Sequence, residues 1–284
     1  MVLRLPWLDR SGRFAALKAV AFLAMFAPLG FMYRDYLQGL YTARLAMEIN
    51  HALGLWAIRL LVLTLAITPL RQSLQWPGLI QVRRMTGVAA FCYALAHFLA
   101  YVVDQKFNLW FAAREIVLRF YLTIGFGVLV TLLALAATST DGMLRRMGGK
   151  AWRKLHYLTY PAVFMAIVHY FLQSKAGPAE ATVLAGLFGW MMVWRLLAAY
   201  RGVPGPLGLV LLAIVAGVLT AAGEAGYYGL FTGIDPMRVL NANWSQLGLR
   251  PGWVVLEITA AVGVMALLRQ VTARPARRPV AAGR

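Results

Sequence analysis

The stretch from Ala151 to Lys175, AWRKLHYLTYPAVFMAIVHYFLQSK, carries His156 and His169, 13 residues apart, in a segment apolar enough to lie in lipid. On one continuous helix that separation is about 20 Å, with the two rings about 140° apart around the axis. Ionisable rings at two depths of a membrane helix are costly unless something uses them. A neutral imidazole keeps one ring nitrogen as a lone pair for a metal. Two of them facing each other across a gap between helices can supply both axial ligands of an iron porphyrin, and bundle cores build such sites from facing helices.

His97 is the natural partner for His169. Each lies about a dozen residues into an apolar segment that rises from the same side, which puts the two rings at a similar height. Ala94, Ala96, Ala100 and Ala166 around them leave room for a flat macrocycle. The plainer alternative is that each ring only hydrogen-bonds a neighbouring helix. His156 sits near the basic stretch GGKAWRKLHY and could ligate a second haem toward that side. The position 13 residues before His97 is Arg84, where a second histidine would complete such a site. A guanidinium is a poor iron ligand but can bind a haem propionate. His51 opens the second apolar segment, too far out to pair with His156, and is better placed near the outer haem or a quinone pocket. Arg59, eight residues further, needs an anion if buried: a propionate, or a carboxylate such as Glu48, unless it snorkels outward. Glu257 lies near the outer end of the last segment. Trp76, Trp110, Trp152, Tyr33 and Tyr36 read as interfacial anchors.

These residues are positioned by a polytopic membrane bundle. The 284 residues are 61% hydrophobic and 13% charged, with mean hydropathy +0.67, whereas soluble domains are about half apolar and a quarter charged. Apolar runs of about 20 residues cross roughly 30 Å of hydrocarbon, and they are continuous where a β-barrel would alternate. The fold class is therefore all-α, with eight spans over about 14–33, 51–70, 85–103, 116–138, 155–173, 182–200, 207–223 and 252–268. An outer loop from Glu224 to Pro251 joins the last two. The formal charge of +18 is concentrated in short connections on the side of the amino terminus, including Arg4, Arg10, Arg83, Arg145, Arg146 and the arginines from Arg269 onward. That is the positive-inside pattern, with both termini cytoplasmic, and it removes the need for a nucleic-acid partner. Lys175 falls on the opposite side. The Pro-, Ala- and Arg-rich tail reads as disordered and able to touch anionic headgroups. Cys92 is the single cysteine, and no CxxCH is present, so any haem is held non-covalently, as b-type haem. The first span reads as retained, since no small-residue cleavage site follows it. No P-loop or dinucleotide fingerprint is present.

RRMTGVAAFCYALAHF and YLTIGFGVLVTLLALAATSTDGMLRRMGGKAWRKLHYLTYPAVFMAIVHY resemble the MsrQ (YedZ) family, haem-binding membrane subunits of bacterial periplasmic methionine sulfoxide reductase systems. The segment INHALGLWAIRLLVLTLAITPLR and the LPWL start are similar too, so the likeness covers about residues 3–200. It implies membership of the ferric reductase-like transmembrane group and a location in the bacterial inner membrane. Residues 1–200 would then be the haem-binding domain of six helices, 201–268 two further spans with the outer loop, and 269–284 a basic cytoplasmic tail. The resemblance implies electrons drawn from membrane quinone, or from a cytosolic flavin reductase, and passed through one or two b haems. The acceptor would be a periplasmic molybdopterin subunit that reduces methionine sulfoxide. His97, His156 and His169 match the family's haem-associated histidines, and His51 the one opening the second span. The family's four-histidine pattern is incomplete at Arg84. FMN is also described for the family, and no residue here demonstrates a flavin site. A stand-alone ferric or oxygen reductase would need a flavin and nucleotide domain that this sequence lacks. A haem-free proton-coupled transporter would show inverted repeats and broken helices in matching halves, whereas no internal repeat is visible. Haem insertion or transport would call for an open axial site.

Overall fold

A computed structural model of the chain describes residues 5–9, 11–42, 44–174, 177–245 and 248–272. Arg4, Arg10, Lys175 and the tail from 273 lie outside the described residues. Helices dominate: α1 (Ala16–Ala24), α2 (Ala27–Leu37), α3 (Leu45–Ser73), α4 (Ile80–Asp104), α5 (Leu109–Leu118), α6 (Phe120–Ala137), α7 (Asp141–His156), α8 (Thr159–Gln173), α9 (Ala179–Tyr200), α10 (Pro206–Thr232), α11 (Pro236–Asn241) and α12 (Pro251–Thr272). Among the described residues the only β pairing is a single bridge between Leu8 and Phe14. Among the described residues eight segments are long and apolar enough to cross a membrane, and each expected span has its counterpart.

Three boundaries differ from expectation, each for a local reason. α3 starts at Leu45, so His51 lies six residues inside the helix and does not open it. α10 runs on through the aromatic stretch GYYGLF and stops at Gly233, whose φ of 71° makes the left-handed cap that glycine accepts without strain. Glu224 is therefore a helix residue, and the loop joining the last two spans is shorter than expected. The segment bearing His156 and His169 is two helices. Pro161, in the first turn of α8, has no N–H and its ring opposes the carbonyl four residues back, so the chain breaks at Tyr157 and Leu158. α7 before the break is basic, and its φ/ψ departs from helix at Gly148 (φ 75°, ψ 153°).

Connections that read as plain loops hold two further helices. α5 is capped by Asn108, whose Oδ1 accepts the Phe111 N–H at 3.0 Å. Extended backbone at Arg119 separates it from α6. Trp110 on α5 is 82% exposed, in keeping with an interfacial position.

α3 packs along α4, α6 against α8 and α4 against α6, while α3 also meets α8 and α9. α10 and α12 form a tight hairpin that lies on α9, and α12 reaches α3. The hairpin seam is made of small residues. A Cβ on Gly217 would stand 2.9 Å from Leu256 Cβ, and one on Gly252 would stand 2.9 Å from Gly217 O. Such close backbone approach is how membrane helices gain packing contacts where lipid supplies no hydrophobic drive. Leu65, Ala90, Val163, Met191 and Trp194 fill the core between the four central helices and α9.

Candidate functional site

His97 on α4 and His169 on α8 face each other toward one end of the bundle. His97 stands seven residues before the end of α4 and His169 four before the end of α8, about 10 and 6 Å from those helix ends. Both chains run the same way there, so the heights match. The ring centroids are 6.4 Å apart, with planes inclined at 77°.

Each ring is fixed by main chain. His97 Nδ1 lies 2.8 Å from the carbonyl oxygen of Asn50 on α3. His169 Nδ1 lies 2.8 Å from that of Tyr121 on α6. A carbonyl oxygen can only accept, so Nδ1 carries the proton in both rings and Nε2 keeps its lone pair. That is the tautomer a metal-binding imidazole needs, with its other nitrogen donating to a fixed acceptor. Two metal–imidazole bonds of about 2 Å in line put the ring nitrogens about 4 Å apart and the centroids about 6 Å apart. The observed spacing and the two free Nε2 atoms fit a single iron held between the rings. Among the described residues no group of three or more His, Cys, Asp or Glu could hold a metal ion.

The other expected residues are not part of the facing pair. His51 is exposed on α3 and has no hydrogen bond among the described residues. Arg59 finds its anion in Glu180, at the first turn of α9. Its Nε donates to Oε1 at 2.7 Å, Nη2 donates to the same oxygen, and the guanidinium lies 4.7 Å over the Trp56 ring. That corrects the expectation of Glu48, which accepts instead from Thr42. It also leaves Arg59 satisfied without a propionate. The short connection from α8 to α9 is what brings Glu180 to this level.

Toward the other end of the bundle, His156 donates from Nδ1 to the Trp152 carbonyl of its own helix at 3.0 Å and stacks on the Trp152 ring at 3.7 Å. Trp152 in turn donates from Nε1 to Thr138 O at 2.9 Å, so it is more than an interfacial anchor. His156 Nε2 lies 3.4 Å from the Ser139 hydroxyl, long for a hydrogen bond. No second imidazole stands opposite. Arg84 donates from Nη1 to Asp141 at 2.6 Å. His156 and Arg84 are thus near the same end of the bundle, each with a protein partner of its own.

Several contributors carry no residue-type signal. The carbonyls of Asn50 and Tyr121 are main-chain atoms and could belong to any residue. Arg195 is part-buried in α9. It donates to Met191 O at 2.9 Å and Leu65 O at 2.5 Å and lies 5.4 Å over Tyr160. Glu224 on α10 is fully buried and accepts from Arg250 Nη2 at 2.8 Å. Its Oε2 and the Arg250 Nε are buried without a partner.

An eight-span bundle with facing imidazoles between its central helices defines a membrane haem protein of the ferric reductase-like class. The family model described as "Ferric reductase like transmembrane component" matches residues 53–167, a stretch that contains His97 and His156 and stops two residues before His169. Over 194 residues the chain is 38% identical to the protein-methionine-sulfoxide reductase heme-binding subunit MsrQ of Rhodospirillum rubrum, covering 68% of this chain and 91% of that relative. It is 44% identical over 159 residues to the MsrQ of Xanthomonas campestris pv. campestris, covering 54% and 72%. With that of Brucella anthropi it shares 41% over 148 residues, covering 52% and 66%. The chain belongs to the MsrQ family of haem-binding membrane subunits. No solved structure matches it.

Proposed function

We propose that this chain is the b-type haem electron-transfer subunit of a methionine sulfoxide reductase system, with one haem held between His97 and His169. The observation that supports this reading best is the pair of imidazoles 6.4 Å apart, each with its spare nitrogen fixed on a carbonyl. Bound iron porphyrin would supply a one-electron couple whose potential is set by ligand identity, burial and nearby charge. The chain's own work is to hold the two rings in one tautomer, exclude water with the apolar helices around them, and keep Arg59 neutralised by Glu180. His156 offers a single inner nitrogen for a second haem, with Arg84 beside it for a propionate.

The proposed direction is from membrane quinone, or a cytosolic flavin reductase, to a periplasmic molybdopterin subunit that reduces methionine sulfoxide in envelope proteins. The setting is the bacterial inner membrane with both termini cytoplasmic, supported by the crowding of basic residues on one side. Residues 1–200 would form the haem-binding unit, 201–268 an added pair of spans, and 269–284 a basic tail.

A reduced-minus-oxidised optical spectrum of the purified protein, with haem-to-protein stoichiometry, tests the reading. It predicts a low-spin b-type spectrum that disappears in His97→Ala. Haem-free protein, or a His97→Ala variant with full haem content and an unshifted Soret band, would refute it.

A further inference from the structure

The two histidines are seated in the same way on two unrelated helices. The acceptor for His97 is the carbonyl of Asn50, and the ring lies over Gly54, four residues on. The acceptor for His169 is the carbonyl of Tyr121, and the ring lies over Gly125, again four residues on. In an α-helix carbonyl i is bonded to the N–H of residue i+4. Each imidazole therefore reaches a carbonyl whose own helical partner is the glycine beneath the ring.

A side chain at either glycine would close that approach. A Cβ on Gly54 would stand 2.8 Å from His97 Nδ1 and 2.9 Å from its Cε1. A Cβ on Gly125 would stand 2.8, 3.0 and 3.2 Å from His169 Cε1, Nδ1 and Nε2. These are distances at which the ring has to move, and the ring is already held at 2.8 Å from its carbonyl. Moving it breaks the bond that fixes its tautomer. By contrast, Gly127 on the same helix as Gly125 has open space where its Cβ would go.

We propose that Gly54 and Gly125 are positioning residues of the paired-imidazole site, and that together they hold the two ring planes near perpendicular. The inference rests on the haem reading above and goes beyond it. The orientation has a spectroscopic consequence. Perpendicular axial rings leave two iron d orbitals nearly equal in energy and give a low-spin ferric signal dominated by one large g value. Parallel rings split those orbitals and give three well-separated lines.

The test is electron paramagnetic resonance of the purified full-length protein, with optical spectra and carbon monoxide binding of Gly54→Ala, Gly125→Ala and the control Gly127→Ala. The wild type and Gly127→Ala should show the single large-g low-spin signal and no carbon monoxide reactivity. Gly54→Ala and Gly125→Ala should lose that signal and gain a high-spin, carbon monoxide-binding form, with helical content and detergent elution unchanged. A three-line rhombic spectrum in the wild type overturns the inference, as do glycine variants that keep the wild-type signal. If neither alanine variant can be purified, the wild-type spectrum alone decides. Protein without haem at all overturns the underlying reading instead, so the two failures are told apart.

Discussion

Glu224 and Arg250 give the sharpest energetic prediction, because the pair is buried, joined by one bond, and poorly satisfied otherwise. Glu224 is 0% exposed and its Oε1 accepts from Arg250 Nη2 at 2.8 Å, while Oε2 and Nε are orphaned. Arg250→Leu would leave a carboxylate sealed between α10 and α12 with no donor. Breaking a buried pair from one side costs about 3–5 kcal/mol. The Arg250 side chain is 29% exposed, so the lower end applies, about 3 kcal/mol or roughly 150-fold in an equilibrium constant at 1.4 kcal/mol per factor of ten. Replacing both residues by leucine removes both charges and both orphaned atoms, and should return stability to within about 1 kcal/mol of wild type. Arg250 stands where the outer loop enters α12, so local opening of that loop reports the loss. When opening is fast relative to cleavage, proteolysis follows the open population. Limited proteolysis in detergent should therefore cut residues 233–250 about a hundredfold faster in Arg250→Leu, and near the wild-type rate in the double variant. Wild-type cutting in Arg250→Leu, or a double variant no better than the single, would show that the pair does not hold the hairpin.

His97→Ala and His169→Ala should each abolish the low-spin spectrum and electron delivery together, because each removes one of the two facing imidazoles. Haem titration of both variants checks this. His156→Ala should lower electron transfer from the proposed donor while retaining the haem proposed between His97 and His169, read as stoichiometry and donor-dependent reduction rate. Glu180→Gln weakens a pair whose side chains are both more than a third exposed. Its cost should therefore be about 1 kcal/mol or less, measured as a small thermal shift with the haem spectrum intact. Replacing residues 236–245 with a flexible linker should leave the haem spectrum unchanged. Unchanged reduction of the catalytic partner as well would exclude this loop from partner docking.

The architecture was legible because lipid imposes one signal, apolar length, that a sequence displays directly. All eight spans follow from it, and so does the pairing height of His97 and His169, since height is a count of residues. What it could not display were features set by single atoms or by chain geometry. The break between His156 and His169 depends on one missing N–H at Pro161, whereas the apolar content runs straight through it. Glu224 sat beyond the expected end of a span because aromatic residues such as Tyr227 and Tyr228 suit helix interior and interface alike. The anions expected for Arg59 are a propionate or a carboxylate such as Glu48, whereas the fold supplies Glu180, 121 positions away. Long-range partners of this kind leave no periodicity to read.

The two ends of the bundle differ in a way that bears on how electrons could cross it. At the end that the proposed topology makes outer, two imidazoles stand 6.4 Å apart, and the Nδ1 of each is held by a main-chain carbonyl. At the end that the same topology makes inner, one imidazole is held by its own helix and a stacked tryptophan, and Arg84 at that end is paired with Asp141. A second metal there would have one protein imidazole, and its remaining axial position would fall to a weaker ligand. Such a group would be easier to lose on purification and open to added imidazole, whereas the outer one would be neither. Titrating imidazole into protein of known haem content therefore separates the two cases. A site that changes spin state on titration, and vanishes in His156→Ala, counts as the inner haem. Complete indifference to imidazole leaves the outer pair as the sole redox centre of the chain.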